Sequence, residues 1–274
     1  MDHVATELVA AANAESMKAQ DTAGVLVGKV SDSDALPVVQ ELMDAIWGPA
    51  VVLPRNVLRA LASAGSCVMV AERRGVPVGF ALGFLGWDGG LHLHSHQVGV
   101  ITSERGTGVG LALKFAQRAL CLTNGVKEIR WTFDPILRAN ATFNLTRLGA
   151  RVIGFYPNHY GSRVDAFNTG DVTDRVMVSW NLRGALDVSP SALGASGEAL
   201  IALGEEGPHR STALPVEGSL IPLPLRYHDL RSNSPALADA WRVAVGRAVG
   251  DTLDAGLTLA AIGAEGYVVG AGLP

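Results

Sequence analysis

Apolar and polar positions alternate with different periods along the chain, and each period predicts an element. Residues 25–30 alternate and predict a first strand. Leu36, Val39, Leu42, Met43, Ile46 and Trp47 recur at the spacing of one helix face, and Gly48 with Pro49 stops that helix. Ser31 and Asp34 before it have capping-box spacing. Pro54 opens a second helix with Val57, Leu58 and Leu61 inward, ended by Gly65. Residues 67–71 and 78–85 are strands, and the Gly75-containing link between them is a hairpin turn.

The next stretch, residues 91–125, joins three features in series. An alternating strand sets His92, His94 and His96 on one face. A glycine-rich loop follows, Arg105-Gly106-Thr107-Gly108-Val109-Gly110, and then an apolar-periodic helix over residues 111–123, closed by Asn124 and Gly125. Strand, glycine loop and helix together make an anion site: the glycines let backbone N–H groups converge, and the helix N-terminus adds positive partial charge. A Walker A loop is excluded, because no Lys-Ser or Lys-Thr follows Gly110. A dinucleotide fingerprint is excluded too, because Leu111 stands where its third glycine would be.

Downstream, residues 128–133 predict a strand ending at Asp134-Pro135, and residues 138–150 a helix ending in Gly149-Ala150. Strands follow at residues 151–156 and 174–180. Residues 184–218, rich in Gly, Ala, Ser and Pro, predict a long excursion with little regular structure. Ser234 and Pro235 supply an N-cap and a first helical residue for the stripe Leu237, Trp241, Ala244, Val245, Ala248, Val249 and Leu253. Residues 257–262 and 267–269 predict a terminal hairpin.

Composition narrows the class. Of 274 residues, 48% are hydrophobic and 18% charged, enough for a substantial core and unlike a disordered chain. A net charge of −4 gives no basic excess for nucleic acid. No apolar run reaches membrane-spanning length, and residues 1–7 lack the basic start and long apolar core of a signal peptide, so a cytoplasmic location is expected. Two cysteines make no disulfide framework, and Cys121 on its apolar helix reads as a small buried residue.

The pattern Arg-x-x-Gly-x-Gly at Arg105, Gly108 and Gly110, with Val98-Gly99-Val100 before it, resembles the acyl-CoA pyrophosphate loop of the GNAT superfamily of N-acyltransferases. The likeness covers roughly residues 25–182 and the helix holding Trp241 and Arg242, including the phrases His94-Ser95-His96 and Trp131-Thr132-Phe133-Asp134-Pro135. It implies an α/β fold, a mixed central sheet of about seven strands flanked by helices, with a C-terminal extension. The organisation expected is an arm over residues 1–24, suited to packing or a homodimer contact, a core over 25–182, and an extension over 183–274 packed on that core. Acetyl-CoA or another acyl-CoA is the implied co-substrate, with no metal and a small-molecule primary amine as acceptor. In such a reaction the amine attacks the thioester directly in a ternary complex. Succinyl-CoA acting on an amino acid, and a non-catalytic acyl-CoA-binding protein, are the alternatives.

The resemblance also implies site residues. Val98, Gly99 and Val100 would pair with the pantetheine arm, and Arg105, Gly106, Thr107, Gly108, Val109 and Gly110 would hold the pyrophosphate. The strand position of His94 is one where several relatives carry a catalytic Glu, and His94 with His96 matches in register the two histidines of the arylalkylamine N-acetyltransferases. An imidazole titrating near neutrality suits removal of an ammonium proton. Two other readings of these histidines remain, hydrogen-bonded structural groups and a His-x-His metal pair. The family's usual Tyr and Asn positions hold Leu145 and Arg138. Asn140 and Asn144 stand nearby for CoA contacts, and Tyr160, or else Tyr156, is the candidate proton donor. Asp134 suits a substrate ammonium or a turn; Arg163, Asp165, Asn168 and Arg175 lie in or after the variable loop, where an arginine would suit a substrate carboxylate. Lys114 and Arg118, one turn apart, read as a solvated helix face, with contact to the CoA phosphates as the alternative.

Overall fold

The computed structural model describes residues 3–30, 36–161, 172–184, 194–205 and 207–272. Ser31, Asp34, Arg163, Asp165 and Asn168, singled out above, lie outside them. Seven strands form a mixed sheet in the order β1-β2-β3-β4-β5-β7-β6: β1 Leu26–Lys29, β2 Cys67–Arg73, β3 Val76–Gly86, β4 His92–Val100, β5 Glu128–Phe133, β6 Arg151–Tyr156 and β7 Arg175–Asn181. This is the mixed α/β sheet of about seven strands, flanked by helices, that the sequence leads one to expect. The chain forms two compact units, one running to Trp131 and including residues 181–183, the other holding most of the remainder.

In the first unit the helices are α1 His3–Ala23, α2 Leu36–Trp47, α3 Arg55–Ser63 and α4 Val109–Thr123. The apolar stripe of α2 does what its spacing predicts: Leu36, Val39, Leu42, Met43 and Ile46 are buried with Leu58 of α3 and Val68, Val70, Phe80 and Leu82 of the sheet. Gly48, at a φ of 85° that costs glycine little, ends α2. The β2–β3 hairpin forms across Arg74 and Gly75, both at positive φ. Helix α4 starts at Val109, inside the glycine loop rather than after it.

Lys114 and Arg118 do not face solvent. Each is 3% exposed, because α4 is covered by α1 on one side and by β2, β3 and β4 on another. Arg118 donates to the Glu15 carboxylate of α1 and, at 3.1 Å, to the Leu182 carbonyl. The predicted N-terminal arm is thus a helix fastened to α4.

The second unit carries α5 Arg138–Ala141, α6 Tyr227–Asn233 and α7 Pro235–Asp254. The helix expected over residues 138–150 is α-helical only to Ala141; Thr142–Arg147 continues as a π-helix. The expectation of little regular structure over 184–218 fails at β8 Ile201–Gly204 and β9 Gly207–Arg210, a hairpin of two four-residue strands. Strand β10 Leu220–Pro222 joins the terminal hairpin, β11 Leu257–Ile262 and β12 Gly266–Ala271, in the order β10-β12-β11. Ser234 precedes α7 as expected, but its side chain makes no capping hydrogen bond. Arg138 reaches from α5 to three carbonyls of this region: it donates to Leu223 and Glu265 at 2.9 Å each, and to Ala264.

Candidate active site

Strand β4 is bulged where it carries its histidines. Its pairing with β3 runs Leu82↔Gln97 and then Phe84↔His94, so Ser95 and His96 stand opposite Gly83 alone. The extra residue swaps the faces of the strand. Ser95 points to α4, whereas a Cβ on Gly99, four residues later, would meet Ile46 and Trp47 of α2. Gly83 suits its place, since a Cβ there would lie 2.9 Å from the His94 carbonyl oxygen.

His94 and His96 share the opposite face from Ser95, with ring centres 6.2 Å apart. The Phe84 ring packs against both, at 5.2 Å and 5.9 Å. Both imidazoles are half-buried, so they are ordered by neighbours while keeping contact with solvent. His92 is different: it is buried, and its Nδ1 lies 2.8 Å from the Gly90 carbonyl oxygen, the structural use of a strand histidine.

The edge of β4 away from β3 is only partly used. It pairs in parallel with β5 at Leu93↔Ile129 and His94↔Arg130, and among the described residues no further β4–β5 pair is made. From Gln97 to Val100 the strand pairs with β3, and among the described residues no strand pairs with the second edge of Val98, Gly99 and Val100.

The glycine loop follows directly. A 3-10 turn, Thr102–Glu104, leads into exposed Arg105, Gly106 and Thr107, and Gly108 caps α4 at a φ of 95° without any side-chain cap. The Arg73 guanidinium grips Glu104, at 3.2 and 3.0 Å, and Thr107 Oγ1 donates to the Glu104 carbonyl at 2.7 Å. The loop is therefore braced from β2. Among the described residues no side-chain cap hydrogen bond is made at this helix N-terminus, with Val109 and Gly110 in the first turn.

The second unit holds the other predicted residues. Asn140 is exposed on α5, Asn144 is buried on the π-helical turn, and Leu145 is buried beside it. The Asp134 carboxylate is already engaged: Arg242 Nη1 lies 3.0 Å from Oδ2, Arg175 Nη1 lies 3.7 Å from Oδ2, and Oδ1 accepts the Ile136 N–H at 3.1 Å. That arrangement favours its turn role over capture of an ammonium. The Tyr160 hydroxyl shares a 3.2 Å hydrogen bond with Thr132 Oγ1, and the Arg175 guanidinium stands 5.4 Å from the ring centre. His159 packs edge-on against Tyr160, and burial, then the Arg175 charge, lowers its pKa. Tyr156 is partly exposed and packs on His159.

Sequence reasoning missed Arg242, Tyr227 and Tyr267 around Asp134. Arg242 Nε donates to the Tyr227 hydroxyl at 3.1 Å, and the Tyr267 hydroxyl donates to the Pro135 carbonyl at 2.7 Å. The signal was faint: an arginine within the apolar stripe of a helix implies a buried partner, but not which one. Both cysteines are buried, and burial pushes the Cys67 thiol up to about 11 and Cys121 higher still, which makes them poor nucleophiles. Among the described residues no group of three His, Cys, Asp or Glu side chains could hold a metal ion, and no helix is long and apolar enough to cross a membrane.

Residues 39–149 match the model of the acetyltransferase (GNAT) family. No curated protein sequence matches the chain. Among solved structures, the ribosomal-protein-S18-alanine N-acetyltransferase of Escherichia coli is 13% identical, over 60% of this chain and 97% of its own, with a TM-score of 0.48. yncA of Salmonella typhimurium, solved with its cofactor acetyl-CoA, is 19% identical over 62% of this chain and 99% of its own, with a TM-score of 0.47. The ribosomal-protein-alanine N-acetyltransferase of Brucella melitensis is 20% identical over 57% and 99%, with a TM-score of 0.45.

Proposed function

We propose, from the match of residues 39–149 to the acetyltransferase (GNAT) family model, that the chain transfers an acyl group, acetyl first among the candidates, from acyl-CoA to a primary amine of a small molecule. The observation that carries this reading is the pairing of a braced glycine loop, where Gly108 offers α4 no side-chain cap, with a β4 edge that among the described residues pairs with no strand from Gln97 to Val100. A pyrophosphate suits the first, because backbone N–H groups and the helix dipole both favour negative charge. A pantetheine arm, with its two amides, suits the second as an added strand does.

Acyl-CoA would supply the acyl group as a thioester. The protein's part is to bind it, to orient the amine and to move protons. An ammonium has no lone pair, so a base must free the attacking nitrogen. His94 and His96 suit that role: they adjoin the open stretch of β4, are half-buried, and are held against Phe84. Tyr160 is the proposed donor of the proton that the departing thiolate takes, on the ground that its phenol is hydrogen-bonded to Thr132 and flanked by the Arg175 cation.

One observation favours a second reading, a non-catalytic acyl-CoA-binding protein. The position where relatives carry their tyrosine holds Leu145, which is buried.

Thermal melting with CoA, acetyl-CoA, succinyl-CoA, ATP and NAD, each added alone, tests the first step. A ligand that binds only the native state stabilises it, by about 2.7 kcal/mol at a hundredfold excess over its Kd. A rise with the CoA compounds alone is expected, and the largest rise selects the donor for an amine screen. No rise with any CoA compound would overturn the proposal. A rise followed by no transfer to any amine would leave the non-catalytic reading.

A further inference from the structure

Lys114 lies in the core of the first unit, 3% exposed, on the face of α4 that meets the sheet. Burying an amine is costly unless its donors are used. Here Nζ donates to Ser95 Oγ at 2.9 Å and stands 3.7 Å from the centre of the Trp131 ring, a cation–π contact from β5. Ser95 Oγ in turn donates to Gln117 Oε1 at 2.9 Å, and Gln117 Nε2 approaches Cys67 Sγ of β2 at 3.5 Å. Ser95 and Gln117 are buried as well, at 4% and 0% exposure.

The place of Ser95 gives this chain its meaning. It separates His94 from His96, and it is one of the two residues that make the β4 bulge. A bulge leaves its extra residue outside the ladder, so the backbone there must be fixed by something other than strand pairing. The only side chain at the bulge that points away from the imidazoles is gripped from α4 by two partners, one donating and one accepting. The helix that grips it is the one whose first turn forms the glycine loop.

We propose that Lys114 is a positioning residue: through Ser95 it fixes the β4 bulge and so sets the aim of His94 and His96. The inference rests on the proposed function for its importance, but not for its geometry. Burial draws the Lys114 pKa down from 10.5 to about 7, with Cys67 of β2 and Cys121 of α4 as the titratable groups facing it. A neutral amine still donates to Ser95, so the grip holds on both sides of that pH. Buried polar chains of this kind specify one conformation when every member is satisfied.

The test reads imidazole geometry directly, in the full chain without ligand. Histidine side chains are labelled with 13C, and the His94 and His96 signals are assigned from His94→Gln and His96→Gln. Their chemical shifts and pH titrations are then compared in Lys114→Met, Lys114→Gln and Ser95→Ala. Lys114→Met and Ser95→Ala are expected to move both signals and both midpoints, while Lys114→Gln, which keeps an N–H donor, restores them. The His92 signal, held by the Gly90 carbonyl, stays in place and serves as the control. Circular dichroism confirms that each variant is folded, and Ser95→Ala, the smallest change, covers a failure of Lys114→Met. Unmoved His94 and His96 signals in folded Lys114→Met or Ser95→Ala would overturn the proposal. Because the readout needs no turnover, it stands apart from the melting test above.

Discussion

Nη1 of Arg242 lies 3.1 Å from Oδ1 and 3.0 Å from Oδ2 of Asp134, and both side chains are buried. Burial alone would strip the guanidinium of its proton more easily, but Asp134 and Tyr227 outweigh it and raise its pKa. Removing one partner of such a pair leaves a buried charge without an answer. Arg242→Met is therefore expected to cost about 3–5 kcal/mol in urea unfolding, toward the lower figure because Arg175 still stands 3.7 Å from Asp134. The double variant Asp134→Asn with Arg242→Met should recover part of that loss. A double variant as unstable as the sum of the two single ones would deny the coupling.

Lys114 makes stability depend on pH in a predictable direction. Its folded pKa, about 7, lies below the unfolded value near 10.5, so the unfolded chain binds the extra proton between them. Stability should then rise from pH 7 upward by as much as about 1.4 kcal/mol per unit. The gain is bounded near pH 9, where unfolded thiols ionise while the buried Cys67 and Cys121 do not, which favours unfolding. Chemical denaturation between pH 6 and 9 measures the slope, and Lys114→Met should flatten it. An equal slope in that variant would mean another group is responsible.

At the head of α4, Gly108 holds a φ of 95°, and a Cβ there would sit 3.3 Å from the Ala23 Cβ at the end of α1. Gly108→Ala should cost roughly 1–2 kcal/mol through left-handed strain, and it should also shrink the melting rise that CoA produces. Loss of stability with an undiminished CoA response would separate the turn from the anion site.

His94→Ala and His96→Ala, assayed with the donor and acceptor that the screens select, should slow acyl transfer by about 10²–10⁴-fold in the variant that loses the base, with the CoA melting rise kept. Transfer at the native rate in both would remove these histidines from the chemistry.

The sequence carried the first unit well because its signals are local and repeated. The stripe from Leu36 to Trp47 and the His92–Val100 alternation each state a period over several turns or pleats. The bulge in β4 was not legible, since a period-two pattern reads the same across a swap of faces until a partner such as Ile46 or Lys114 is known. Lys114 and Arg118 were misread because charge on a helix usually marks solvent, and their partners lie far away in the chain: Ser95 and Trp131 for Lys114, Glu15 and Leu182 for Arg118. The β8–β9 hairpin was missed because Ile201–Gly204 and Gly207–Arg210 are too short to establish a period. In the candidate site, the glycine loop was visible from spacing, whereas the commitments of Asp134 to Arg242 and Arg175 join residues far apart in the chain.

Arg138 occupies the place where the resemblance leads one to expect an asparagine, and it spends its guanidinium on the carbonyls of Leu223, Ala264 and Glu265. A lineage that trimmed the C-terminal strands would strand that cation, and one that restored the asparagine would leave those carbonyls wanting donors. Neither change is neutral by itself. The expected outcome in an alignment of homologues is that Arg138 and the segment holding Leu223, Ala264 and Glu265 change together.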